Sequence, residues 1–309
     1  MANEQEPSPT ENVDLRSAQT GGVRRLRAAL ALLAALTAAP AMAQAPDSLA
    51  DAVRVTTGAG QAATLDDVVG ATAEADVLIL GEQHDDSTAH SVQLAVLQAV
   101  LDGERPVILS LEMVETDVQT VLDEYLAGLI RERDWLAASR PWGNYESDYR
   151  PLVELARQRG AAVVAANAPG RYVSLVSRSG MAALDSLSGP ARATMPPTMA
   201  PPSAALAAKF TALMGGMAHG SGPSVEGMLA AQNVRDATMA WRVADALRQR
   251  PGALVVHVNG SFHSAGRLGV PEHLAQWAPE ARVVVVTMDR EAPEGPSADD
   301  FVVTTAPGD

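Results

Sequence analysis

Two glutamates and two histidines occupy matching places in this chain, each just after a run of apolar residues. Glu82 and His84 lie in Gly81-Glu82-Gln83-His84, Glu112 in Ser110-Leu111-Glu112-Met113, and His263 in Gly260-Ser261-Phe262-His263. Carboxylates and neutral imidazoles are the usual ligands of zinc, manganese, cobalt and iron, and such a set needs no thiol. The same groups do acid–base work when they are held close together. Asn167 closes a further run, before Ala168-Pro169-Gly170-Arg171. Ligands of an open parallel sheet bind outside the carboxyl ends of its strands, so strand-end residues of this kind would meet at one site. On that reading His84, His263, Glu82 and Glu112 are metal ligands, and Glu82 and Glu112 are the catalytic groups if the site hydrolyses. Taken singly, each has a duller role: a histidine after a strand meets solvent or caps a helix, and a lone glutamate serves as an N-cap or as an ion-pair partner of Arg171.

The elements that would carry these residues alternate along the chain. Short apolar runs at 76–81, 107–112, 162–167, 253–260 and 282–288 read as strands, with 301–304 as an edge strand. They are continuously apolar rather than alternating, as strands buried on both faces of a parallel sheet are. Helical patterns at 87–101, 117–128 and 149–159 lie between them, and 233–247 returns as a helix with Met239, Val243 and Leu247 on one stripe. Before the first strand, residues 53–57 and a helix over 65–70 capped by Thr64 form a lead-in. The expected fold is therefore α/β, a mainly parallel central sheet flanked by helices, in one domain over 44–309. Residues 186–225 break the rhythm with six prolines and Met195, Met199, Met214 and Met217, and read as a lid-like helical insertion.

Composition narrows the partners. Lys and Arg total 23 against 37 Asp and Glu, a net charge of −14, so a phosphate backbone would be repelled and nucleic acid is not expected. Cysteine is absent, which removes disulfides, thiolate chemistry, iron–sulfur clusters and a lipidated cysteine. Lys209 stands alone beside 22 arginines, the mark of a GC-rich genome rather than of a site. Near the start, Arg24, Arg25 and Arg27 precede an apolar run over 28–39 and then Ala41-Met42-Ala43. That order reads as a signal peptide within 1–43 cut before Gln44, giving an exported, periplasmic or secreted protein with no transmembrane anchor.

Several motifs also match a known family in order: Gly81-Glu82-Gln83-His84 followed by His90, Leu111-Glu112-Met113, Tyr149-Arg150-Pro151-Leu152, Ala165-Ala166-Asn167-Ala168-Pro169, and Asn259-Gly260-Ser261-Phe262-His263 with Gly269-Val270-Pro271. Together they resemble the ChaN-like haem-binding uptake proteins of the Tiki/TraB superfamily. The resemblance implies a parallel α/β fold, haem or iron-porphyrin as ligand, and a role in iron acquisition. A tyrosine ligates iron in some relatives, which points here to Tyr145, in a Gly/Asn loop, rather than to Tyr149 at a helix start. Arg171 would pair with haem propionates, His90 and Asn167 would support the site, and His219 beside Met214 and Met217 is a further ligand candidate. Other superfamily members imply the alternative of a metal-dependent hydrolase using the paired motifs. A non-catalytic periplasmic interaction domain is the third reading, and a homodimer is compatible with all three. His257 reads as a core residue and His273 as a helix-surface residue.

Overall fold

Valine, isoleucine and leucine dominate the strands, and their branched side chains fill both faces of one sheet. The computed structural model describes residues 48–214, 224–292 and 295–306. The strands are β1 (Arg54–Thr57), β2 (Ala62–Ala63), β3 (Val77–Glu82), β4 (Val107–Glu115), β5 (Ala162–Asn167), β6 (Leu254–Gly260), β7 (Val283–Asp289) and β8 (Phe301–Thr304). Their order across the sheet is β2-β1-β8-β7-β3-β6-β4-β5. From β8 to β5 every neighbouring pair is parallel, while β1 runs antiparallel to both β2 and β8. The expected α/β architecture is thus the observed one. β8 is not an edge strand, however, because β1 pairs along its full length. Nothing in a four-residue apolar run tells how many neighbours it will have.

Alternate residues of β3, β4 and β6 point to opposite faces and build two cores. Leu78, Leu80, Leu109, Leu111 and Val256 pack under the helices Ser87–Leu101 and Arg150–Gln158. Val77, Ile79, Ile108 and Val255 pack under Val225–Gln249 and Val270–Trp277. Full burial of each such side chain is worth about 1.5–3 kcal/mol. Helices start where the sequence offers caps: the Thr64 side chain accepts from Asp67 N, and Asp86 accepts from Thr88 and Ala89 N.

The helix Glu132–Ser139 escaped the sequence reading. Its eight residues make too few turns for a clear 3.6-residue period. Within 186–225 the structure describes two helices, Gly189–Arg192 and Ala204–Met214. Met195 is buried against Val173, Val176 and Val234. Residues 215–223, with Met217 and His219, and the proposed signal peptide lie outside the described residues.

β5 ends the sheet on one side. Its outer edge is met by a side chain: the Gln119 amide donates to Val163 O and accepts from Ala165 N, and Arg242 donates to Ala165 O.

Candidate functional site

β3 delivers Glu82, β4 delivers Glu112, and the turn after β6 delivers His263, all at the carboxyl edge of the parallel sheet. Between Leu111 and Glu115 the register of β4 against β5 slips. Irregularities of this kind re-aim side chains next to sites. Glu112 sits in the slipped segment and turns toward β6, where its Oε2 accepts from Gly260 N at 2.7 Å.

The two glutamates each form a hub. Glu82 is fully enclosed; Oε1 accepts from Tyr149 OH at 2.7 Å and lies 3.0 Å from His84 Nδ1. Its Oε2 accepts from Gln93 at 2.7 Å and lies 2.8 Å from His90 Nδ1. Burial alone would raise the Glu82 pKa, but the bonds from His84, His90 and Tyr149 outweigh it and hold the pKa below the usual carboxylate range. His90 is buried, which opposes its charge, yet Glu82 and Asp148 lift it to about 9. Glu112 Oε1 stands 3.1 Å from His263 Nε2, and Asp236 takes the other ring nitrogen. Burial opposes both charges here too. The Glu112–His263 attraction prevails, carrying Glu112 down to about 2 and His263 up to about 10. Asp236 shifts up instead, because its enclosure outweighs the pull of His263.

The expected convergence of Glu82, His84, Glu112 and His263 on one edge is therefore present, but not as an open ligand set. Among the described residues no group of three or more His, Cys, Asp or Glu is arranged to hold a metal ion. The physical reason is visible in the pairing. His263 has a carboxylate at each ring nitrogen, a pairing that favours its protonated form. Glu82 spends both oxygens on four donors. His84 differs, since its side chain is 44% exposed and only Nδ1 is engaged. Glu82 and Glu112 raise its pKa despite partial burial. Its ring edge meets Trp142 at a centroid distance of 4.9 Å.

Other expected site residues lie elsewhere. Tyr145 is not an exposed ligand: it is buried beside Trp135, with its hydroxyl unpartnered among the described residues and its ionisation suppressed by burial. A five-residue π-helical turn over Tyr145–Tyr149 swings it inward, which loop composition does not reveal. Tyr149 is the tyrosine in the site. Arg171 pairs with Asp117 and stacks on Tyr172, with its side chain half-exposed. Asn167 is buried with its Oδ1 unpartnered among the described residues, and His90 sits behind His84 on Glu82. His257 is a core residue, bonded to Ser110, whereas His273 is buried on Asn233 rather than on a surface.

A groove of about 510 Å³ opens beside this edge, between the helices Gly170–Ser179, Ala204–Met214 and Val225–Gln249. Phe210, Leu213, Met214, Met228 and Phe262 make much of its apolar wall, and Ser174, Ser177, Gln232 and Arg235 add polar groups. The Gln232 amide nitrogen lies 2.7 Å from His263 Nδ1, so the groove wall touches the buried ion pairs. Arg235 is half-buried and, among the described residues, has no carboxylate partner. Sequence reading gave Asp236, Gln232 and Arg235 no site role. Three polar residues in one helix look like its solvated side, and only the packing shows that Asp236 faces inward.

Residues 68–274 match the family described as haem-binding uptake, Tiki superfamily, ChaN. Among solved structures, ChaN of Campylobacter jejuni with cofacially bound haem is similar at a TM-score of 0.63 and 17% identity, over 82% of this chain and 96% of that one. An erythromycin esterase, EreC, in its open conformation is similar at 0.46 and 12%, over 81% and 82%. The type III effector HopBA1 is similar at 0.45 and 10%, over 77% and 91%. No curated protein matches the sequence.

Proposed function

The chain belongs to the ChaN family of haem-binding uptake proteins, and from that premise we propose that it binds haem in the groove beside the sheet edge and serves iron acquisition after export. The observation that carries the reading is Arg235: a guanidinium with no carboxylate partner among the described residues, in a largely apolar groove, suits a ligand with a flat hydrophobic body and an acidic rim. Haem has both. The residues present fit it: Phe210, Phe262 and Met228 would lie against the macrocycle, and Arg235 would take a propionate, the role expected of Arg171. When bound, haem brings an iron whose four equatorial ligands come with it, so the protein need not assemble a metal cage. That agrees with a site whose glutamates are already committed to histidines.

Export rests on the basic residues, the apolar run over 28–39 and Ala41-Met42-Ala43, and places the mature terminus at Gln44 in the periplasm. Among the described residues no helix is long and apolar enough to cross a membrane.

Titration of the purified chain with equimolar haem at micromolar concentration tests the reading. A shifted Soret band is expected, with Arg235→Ala weakening binding about tenfold. An unchanged haem spectrum overturns it.

A further inference from the structure

Resting on the haem reading above, we propose that Gln232 and Arg235 together hold the acid group of the ligand, and that the buried His263 ring fixes the Gln232 amide with its N–H groups turned to the groove. Both side chains belong to the helix Val225–Gln249 and line the groove. They are three residues apart, so they leave the same face of the helix. Gln232 also reaches inward. One of its amide atoms lies 2.7 Å from His263 Nδ1, 3.5 Å from Nε2 and 3.4 Å from Asp236 Oδ1.

Which end of an amide faces a neighbour is decided by hydrogen bonding. His263 has Glu112 Oε1 3.1 Å from Nε2 and Asp236 against Nδ1, an arrangement that favours a proton on each nitrogen. With the amide nitrogen beside Nδ1, a donor would point at a donor. Its compensation, a bond to Asp236, would be 3.4 Å long, at the weak end of the range. A half-turn of the amide puts its oxygen there instead, accepting from His263 at 2.7 Å in a charge-assisted bond. The shorter, stronger bond wins. The other arm of the amide then carries the NH2 group. Among the described residues that arm is neither bonded nor enclosed, and it opens on the groove that Gln232 lines. A guanidinium fork beside an amide NH2 suits a carboxylate, whose two oxygens only accept. An ester, uncharged and with one oxygen alkylated, suits it poorly. The largely apolar wall strengthens the attraction by lowering the local dielectric. On haem, the matching group is a propionate.

Two measurements test this. Neutron diffraction from crystals of the deuterated full chain, without haem, locates the Gln232 amide deuterons. They should point into the groove, and deuterons aimed at His263 overturn the proposal. The second measurement titrates the full chain with haemin and with haemin dimethyl ester, followed at the Soret band. The wild-type chain should bind haemin about tenfold tighter or more than the ester. Gln232→Glu keeps the shape and the acceptor toward His263 but puts an oxygen where the NH2 group stood. In it the preference should shrink about tenfold or invert, with far-ultraviolet dichroism unchanged. Gln232→Met, of similar length and without donors, should move the preference the same way. An ester that binds the wild-type chain as tightly as haemin overturns the proposal, and so does a preference that both variants keep. Absence of a Soret change with either compound instead defeats the haem reading, and the neutron result then decides the amide orientation by itself.

Discussion

Gly260 lies directly against the His84 imidazole: a Cβ on residue 260 would stand 2.6 Å from its Cε1 and 2.7 Å from its Nε2. The glycine is required for space and not for backbone freedom, since its φ of −63° is open to any residue. Gly260→Ala should therefore push the ring off Glu82 at a cost of about 1–3 kcal/mol. Proton NMR of the His84 ring would show its pKa falling toward the ordinary value. An unchanged titration and an unchanged denaturation midpoint would contradict the steric account.

The Glu112–His263 pair sets a pH window. Glu112 titrates near 2 in the fold against an ordinary 4.5, so its contribution is present above 4.5 and is lost as pH falls toward 2. His263, near 10 against 6.5, contributes fully below 6.5 and loses that contribution as pH rises toward 10. His90, near 9, adds to the alkaline loss. Stability measured by urea unfolding should accordingly be highest between about pH 4.5 and 6.5. A profile rising through pH 8 would count against the pairing.

Glu112→Gln breaks that pair while keeping its shape. It strands a buried imidazolium with only Asp236, and should cost about 3–5 kcal/mol. The acid limb of the stability profile should flatten at the same time. Urea curves of the variant at several pH values measure both effects.

Tyr145 and Tyr149 give opposite expectations for one substitution. Tyr149→Phe removes a bond to the Glu82 carboxylate and should cost about 1.5–3 kcal/mol. Tyr145→Phe removes a buried hydroxyl with no partner among the described residues, so stability should hold or rise slightly, and haem uptake should not change. A weaker Soret band in Tyr145→Phe would restore that residue as a ligand.

Arg171→Ala should be nearly silent. Its ion pair with Asp117 is half-exposed, and such pairs are worth about 0–1 kcal/mol. Haem affinity should stay within a factor of about two, well inside the scatter of a 1 kcal/mol effect.

Glu82, Glu112 and His263 were legible because strand ends are legible: a continuous apolar run followed by an ionisable residue marks where a buried strand leaves the core. What they do there was not. Asp236 lies 27 residues from His263 in sequence, inside a helix whose polar residues look solvated, and only the packing of that helix makes it a partner. Gly269 holds the two together, for its positive φ and a Cβ that would lie 2.9 Å from Asp236 Oδ2 leave room for no other residue. Tyr145 misled for a similar reason. A Gly/Asn-containing loop suggests exposure, and the π-helical turn that carries the ring inward has no local sequence mark.

At the β5 margin, Gln119 reproduces with one amide what a ninth strand would offer, satisfying the backbone of Val163 and Ala165 together. Exposed strand margins are templates on which other chains polymerise. Here that template is occupied from within the molecule, and the opposite margin is the two-residue β2, too short to nucleate a ladder. Among the described residues, strand addition at β5 would first have to evict a glutamine.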